Sequence, residues 1–174
     1  MTLPEPAISR RSFAAGLLIS AAALQTGCGF KLRGPQTFGF ETISVRAPQA
    51  GPVAADLRRV LGPRVRELPA DAVAAARHVT VDILSEQREK TVVGVNSAGQ
   101  VREFQLRIRV RFRLSNTSGK ELIADTEILQ QRDISFNESA VLAKEAEEGL
   151  LYRDMQNDIV QQLMRRLAAV TAIA

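Results

Sequence analysis

The chain has 174 residues, 45% of them hydrophobic, with a formal charge of +4, no Trp and a single Tyr. That supports one domain with its own core, and a basic balance that suits phosphates, a membrane surface or an acidic protein surface without choosing among them. One Cys and one His exclude an internal disulfide and a cysteine-rich zinc site.

At the N-terminus, Arg10 and Arg11 precede an apolar run from Phe13 to Leu24, and small residues then lead to Gly27 and Cys28. The run falls short of the ~20 residues that span a bilayer as a helix but suits the hydrophobic region of an export signal. Residues 1–27 resemble a bacterial lipoprotein signal peptide, in which cleavage leaves the cysteine first and its thiol and amine are acylated. The usual leucine three places before that cysteine is Gln25 here, with Leu24 one residue further back. An ordinary secretory signal with an incidental cysteine is the alternative to lipidation at Cys28. Gly29, where Asp would oppose it, implies sorting to the outer membrane of a Gram-negative cell. Acyl chains at ~0.8 kcal/mol per buried CH2 make such an attachment effectively permanent. Ser9 to Phe13 (SRRSF) reads either as a twin-arginine signal or as the positive start of a general one, so the export route stays open.

Residues 28–38, rich in Gly and Pro, read as a lipidated tether, residues 39–170 as one domain, and 171–174 as a C-terminal tail. Within the domain, 40–47 (FETISVRA) is a predicted strand. Val53, Leu57, Val60 and Leu61 recur at helical spacing until Gly62-Pro63 stops the helix. Residues 65–76 are ambiguous between a short edge strand and an Ala-rich turn. Val79, Val81 and Ile83 open a strand that continues irregularly through 91–93, Asn96 to Gly99 is a turn, and 115–119 (SNTSG) is a hairpin turn before a last strand over 121–136. Leu151, Met155, Ile159, Leu163 and Leu167 then mark a helix, widened by Tyr152, Val160, Met164 and Val170. Asn137 or Ser139 suits its cap, and Gly149 marks a kink or a false start. The order β-α-β-β-β-α predicts an α+β two-layer sandwich: a four-stranded, mainly antiparallel sheet with both helices on one face.

Between the two turns lies 104–114, FQLRIRVRFRL. Its even positions are apolar, while Arg107, Arg109, Arg111 and Arg113 share the odd parity and so one face of a strand. On the next strand Glu121, Asp125, Glu127 and Asp133 also share one parity, and opposite charges on facing positions contribute roughly 0.2–1 kcal/mol each. If Arg113 faces Glu121, Arg109 faces Asp125 and Arg107 faces Glu127. A slip by two pairs Arg111 with Asp125 and Arg109 with Glu127. The ladder is thus either largely neutralised within its own hairpin or partly left for an anionic ligand.

No catalytic constellation appears, so the chain reads as a non-enzyme that needs no cofactor or metal. His78 reads as a solvent-facing or strand-edge residue rather than a base without a nucleophile. Glu145, Glu147 and Glu148 are expected in the first turns of the C-terminal helix, where its dipole favours them. No EF-hand spacing and no Gly-rich phosphate loop is present. Nucleic acid is disfavoured by the export signal and by the lack of aromatic residues among the basic ones.

Residues 28–34 (CGFKLRG), 101–112 (VREFQLRIRVRF) and 132–167 (RDISFNESAVLAKEAEEGLLYRDMQNDIVQQLMRRL) together resemble the LptE family of lipopolysaccharide-assembly lipoproteins. The resemblance implies a non-enzymatic partner of the outer-membrane β-barrel LptD, sitting as a plug in its lumen, assisting its assembly and binding lipopolysaccharide on its way to the cell surface. It places Lys144 where the family carries a basic residue linked to lipopolysaccharide. Arg102 is the first charge after the turn where some members carry another, and the ladder arginines complete the set of candidate contacts. Phosphates and carboxylates of the glycolipid suit Arg for bidentate pairing and Lys as a point charge. A solvated Lys144 pairing with Glu148 at i+4 is the plainer reading of that residue. The competing function is a structural periplasmic lipoprotein that scaffolds another envelope complex and binds no glycolipid.

Overall fold

The computed structural model describes residues 36–49, 51–67 and 77–171. The expected signal peptide, Cys28 and most of the expected tether lie outside the described residues. Four strands and two helices follow in the order β1 (Thr42–Arg46), α1 (Pro52–Leu61), β2 (His78–Val95), β3 (Val101–Asn116), β4 (Glu121–Ser135) and α2 (Val141–Ala168). The sheet order is β1-β2-β3-β4, with β1 parallel to β2 and the other pairs antiparallel. Both helices cover one face, burying Val53, Leu57 and Leu61 of α1 and Met155, Ile159, Leu163 and Leu167 of α2 against Ile43, Val79, Val81 and the even positions of β3. This is the expected α+β sandwich.

α1 starts at Pro52, whose missing N–H is no loss at the first helical position. Gly51 precedes it and supplies no side-chain cap; instead the Glu86 carboxylate of β2 accepts the Val53 N–H at 3.1 Å. A Cβ on residue 51 would displace that carboxylate from its place over the start of α1. Gly62 ends the helix at φ +57°, where a side chain would be strained. Val60, read as part of the buried stripe, is exposed at its edge. Val65 forms a single parallel bridge to Ile43, and residues 68–76 lie outside the described residues.

His78 corrects its sequence reading. It lies buried on the sheet face away from the helices, between two hydroxyls of β1. Ser44 donates to Arg66 O at 2.7 Å, so its oxygen accepts the Nε2–H of His78 at 3.0 Å, and Nδ1 accepts the Thr42 hydroxyl at 2.8 Å. This relay fixes one neutral tautomer and ties β1 to β2. Burial, and secondarily the charge of Arg46, hold the imidazole below its ordinary pKa of 6.5.

α2 runs unbroken through Gly149. Neither Asn137 nor Ser139 caps α2 itself, whose N-cap Ala140 makes no side-chain hydrogen bond. Asn137 caps instead the one-turn 3-10 helix Glu138–Ala140 that leads into α2, its Oδ1 accepting the Ser139 N–H at 3.0 Å. Because α2 begins at Val141, Glu145, Glu147 and Glu148 fall beyond its first turn, where the dipole has largely faded. Their roles must be sought in side-chain partners. At 1.5 Å per residue α2 is about 42 Å long and α1 about 15 Å, so the far half of the long strands is covered by α2 alone.

Candidate ligand site at the open end of the sheet

The far half of β2 is organised by a bulge. Ile83 pairs with Phe112 and Ser85 with Arg111, so Leu84 is the extra residue. One inserted residue exchanges the faces of everything beyond it. Before Leu84 the odd positions Val79, Val81 and Ile83 face the helices. After it Glu86, Arg88, Lys90 and Val92 do, opposite Val110, Ile108, Leu106 and Phe104. Three ionisable side chains are thereby turned towards the helical layer, and each finds a partner there. Glu86 caps α1, Arg88 donates to Gln156 Oε1 at 2.7 Å and lies over the Tyr152 ring, and Lys90 pairs with Glu148 at 2.6 Å. Gln156 in turn donates to Asp56 of α1, so a polar seam links β2 with both helices. Burial raises the pKa of Glu86, whose Oε1 has no partner.

Beyond this seam a cleft of about 240 Å³ opens between β3, β4 and the start of α2. Phe104, Ile134, Phe136 and Val141 supply apolar walls, with Phe104 and Phe136 edge to face at 5.3 Å. Lys90 and Lys144 bring two ammonium groups to the same cleft. Lys90 Nζ lies 4.4 Å from the Phe104 ring centroid, a cation–π position. Lys144 donates to Ser135 Oγ at 3.0 Å and to Glu147 at 2.9 Å. The expected Lys144–Glu148 pair is therefore replaced: the i+3 carboxylate takes Lys144, and Glu148 reaches across to Lys90. Val92, Val93 and Val95 of β2 and Val141 and Leu142 of α2 stand exposed at this same end, with Leu142 82% accessible.

The arginine ladder occupies the other face of the sheet. The true register places Arg111 opposite Glu127, Arg109 opposite Leu129 and Arg107 opposite Gln131, which is neither register weighed from the sequence. The side chains nevertheless lean diagonally. Arg111 binds Asp125, and Arg109 approaches Glu127 at 3.7 Å, which are the contacts of the slipped alternative. The Asp125 hydrogen bond, then its charge, raises the pKa of Arg111. Arg113 pairs with Asp82 of β2 at 3.0 Å and only marginally with Glu121, at 4.0 Å. Arg107 departs from the group: among the described residues it bonds Gln105 of its own strand, at 2.8 Å, and no carboxylate. Arg102 stands exposed beside the distal hairpin, 3.4 Å from Gln100.

The fold thus separates the candidate residues. Lys144 lines the cleft, whereas Arg107, Arg109, Arg111 and Arg113 lie on the opposite face of β3, and Cys28 is outside the described residues. Lys90 was missed because two-residue alternation, extended from Val79–Ile83, assigns it no place on the helical face. Asp82 was missed because charge matching was sought only on the following strand. The irregular run 84–90, with no clean alternation, was the available signal. Among the described residues no His, Cys, Asp and Glu cluster suits a metal ion, and no helix is long and apolar enough to cross a membrane.

Comparison with known proteins agrees over the whole domain. The family described as LptE, lipopolysaccharide-assembly, matches residues 40–167. The LPS-assembly lipoprotein LptE of Photorhabdus laumondii is 26% identical over 158 residues, covering 88% of this chain and 85% of its own length. The solution structure of uncharacterized lipoprotein B from Nitrosomonas europaea superposes with a TM-score of 0.67 at 37% identity, covering 82% of this chain and 92% of that one. The rare lipoprotein B of Shewanella oneidensis shares the fold, with a TM-score of 0.61 at 21% identity over 74% of this chain and 94% of that one. With its α+β sandwich, its ladder strand and a family match spanning nearly the whole described domain, the chain belongs to the LptE lipopolysaccharide-assembly family.

Proposed function

We propose that this protein is an outer-membrane lipoprotein, acylated at Cys28, that plugs and assists the assembly of an LptD-like β-barrel and binds lipopolysaccharide during its transport to the cell surface. The observation that carries the glycolipid reading is the cleft in which Lys90 and Lys144 meet the aromatic walls Phe104 and Phe136. A phosphorylated glycolipid presents both chemistries at once: phosphate oxygens for the ammonium groups and acyl methylenes for the apolar walls. A phosphate would take over the donors now held by Glu147 and Glu148. The exposed apolar residues around the mouth supply a surface that is costly to leave in water and suits a barrel wall or lipid.

The arginines divide between two roles. Arg109, Arg111 and Arg113 serve chiefly to hold the hairpin face together. Arg107 and Arg102 are the members of the set open to an anionic group. The protein acts by binding and positioning, without chemistry of its own. Affinity isolation of the lipidated protein from outer membranes tests the whole reading: a large β-barrel and lipopolysaccharide are expected to co-purify. Recovery of the protein in a complex lacking both would leave the scaffolding alternative in its place.

A further inference from the structure

The positive charge of the mature chain is not spread evenly. Residues 28–77 hold eight Lys and Arg against four Asp and Glu, a surplus of +4, whereas residues 78–174 hold thirteen against fourteen. The basic surplus therefore lies entirely in the stretch that follows Cys28. Part of it converges at the end of the sheet where β1 and β2 begin. A cleft of about 380 Å³ there is lined by Phe38, Phe40, Glu41, Pro63, Arg64 and Arg77. Arg64 lies over the Phe38 ring at 5.4 Å, and Phe38 stacks on Phe40 at 4.9 Å. Arg77 holds Gly39 O at 2.9 Å and touches Glu41 at 3.4 Å, which fixes the chain entering β1. Two residues beyond Arg64, Arg66 is exposed as well, and among the described residues neither Arg64 nor Arg66 makes an ion pair.

We propose that this basic, aromatic-lined end is a docking surface for the phosphate headgroups of anionic phospholipids in the leaflet that carries the acyl anchor. The proposal rests on the reading of Cys28 as that anchor. Ten residues separate Cys28 from Phe38, which cannot reach further than about 35 Å. The surface is therefore always held close to headgroups, and a weak individual affinity suffices because the encounter is intramolecular. Guanidinium groups donate bidentately to phosphate oxygens, and aromatic rings favour the interfacial depth. An acyl chain combined with a basic patch is the general two-signal arrangement for a membrane surface. Lys90 lies twelve residues along β2 from His78, so its cleft stands about 40 Å from this end. Seating the basic end on the leaflet would therefore direct the glycolipid cleft away from the membrane surface.

The test uses the full mature chain with Cys28→Ser, which removes the acyl chains and leaves headgroup contact as the measured interaction. Co-sedimentation is compared on vesicles of phosphatidylcholine alone and of phosphatidylcholine with phosphatidylglycerol. Binding is expected only to the second, falling with added salt, and Arg64→Gln/Arg77→Gln is expected to weaken it about five-fold for each arginine removed. Because the Arg77 side chain also holds Gly39, Arg64→Gln/Arg66→Gln provides a second pair. Arg66 meets β1 through its backbone N–H and C=O, which the substitution leaves in place, and the same loss is expected. Arg132→Gln/Arg153→Gln makes the same charge change elsewhere and should bind like the parent. Equal binding to both vesicles, or an equal loss in the control pair, would overturn the proposal. Palmitate labelling of the unsubstituted protein in cells tests the anchor separately: no label at Cys28 removes the premise, whereas label without headgroup preference removes this inference alone.

Discussion

Lys144 is held by Ser135 and Glu147, and Lys90 by Glu148, so each ammonium group in the cleft has a partner. A phosphate that took both donors would release Glu147, half exposed, to solvent and would leave Glu148, 22% exposed, without its lysine. Charge-assisted hydrogen bonds contribute about 1.5–3 kcal/mol, so Lys144→Gln is expected to weaken lipopolysaccharide binding by roughly ten-fold or more, measured by titration of the mature chain. If both lysines hold one phosphate, Lys90→Gln added to Lys144→Gln costs less than the product of the single effects. His78 gives a pH prediction of definite sign. Its folded pKa lies below the unfolded value of 6.5, so the unfolded chain takes up the proton first. Its contribution is present above pH 6.5 and lost as pH falls through the folded pKa. The urea midpoint of the parent should fall across that window, and His78→Gln, which cannot titrate, should flatten that part of the curve.

The elements differ in how far they can be read from sequence, for physical reasons. The ladder strand is legible because its alternation matches the pleat over eleven residues, and α2 because its stripe repeats every four. The bulge at Leu84 is not legible, since a single extra residue is set by pairing with β3 and leaves only a break in pattern. That one residue decides that Lys90, rather than its neighbours, joins Lys144. The arginine partners were half legible: parity was right, but the register depends on further shifts between Phe112 and Ser115 that no charge pattern encodes. His78 was misread because its burial comes from the β1 hydroxyls, thirty-odd residues away in sequence. Two element-scale expectations follow. Glu86→Ala removes the only side-chain cap seen on α1 and should lower stability by about 1 kcal/mol, with Glu86→Gln losing less because it keeps an acceptor. Phe112→Ala, at a fully buried position on the helix-covered face of β3, should cost about 3–5 kcal/mol by chemical denaturation.

At the scale of the molecule the two ends of the sheet are chemically different. The end that begins β1 and β2 carries both helices, a closed core and the arginines Arg64, Arg66 and Arg77. The other carries long strands under one helix, exposed valines and the two-lysine cleft. On the function proposed above, this division leaves one end to stay fixed at the membrane and the other accessible to an amphiphile. On the proposed function, the cleft recognises a phosphorylated glycolipid by phosphate and apolar contact together. Calorimetric titration of the mature chain with lipopolysaccharide and with its enzymatically dephosphorylated form tests it most directly. The phosphorylated form is expected to bind, with marked weakening on dephosphorylation and a comparable weakening of the phosphorylated form by Lys90→Gln/Lys144→Gln. Equal affinity for both forms, unchanged by the double substitution, would contradict it.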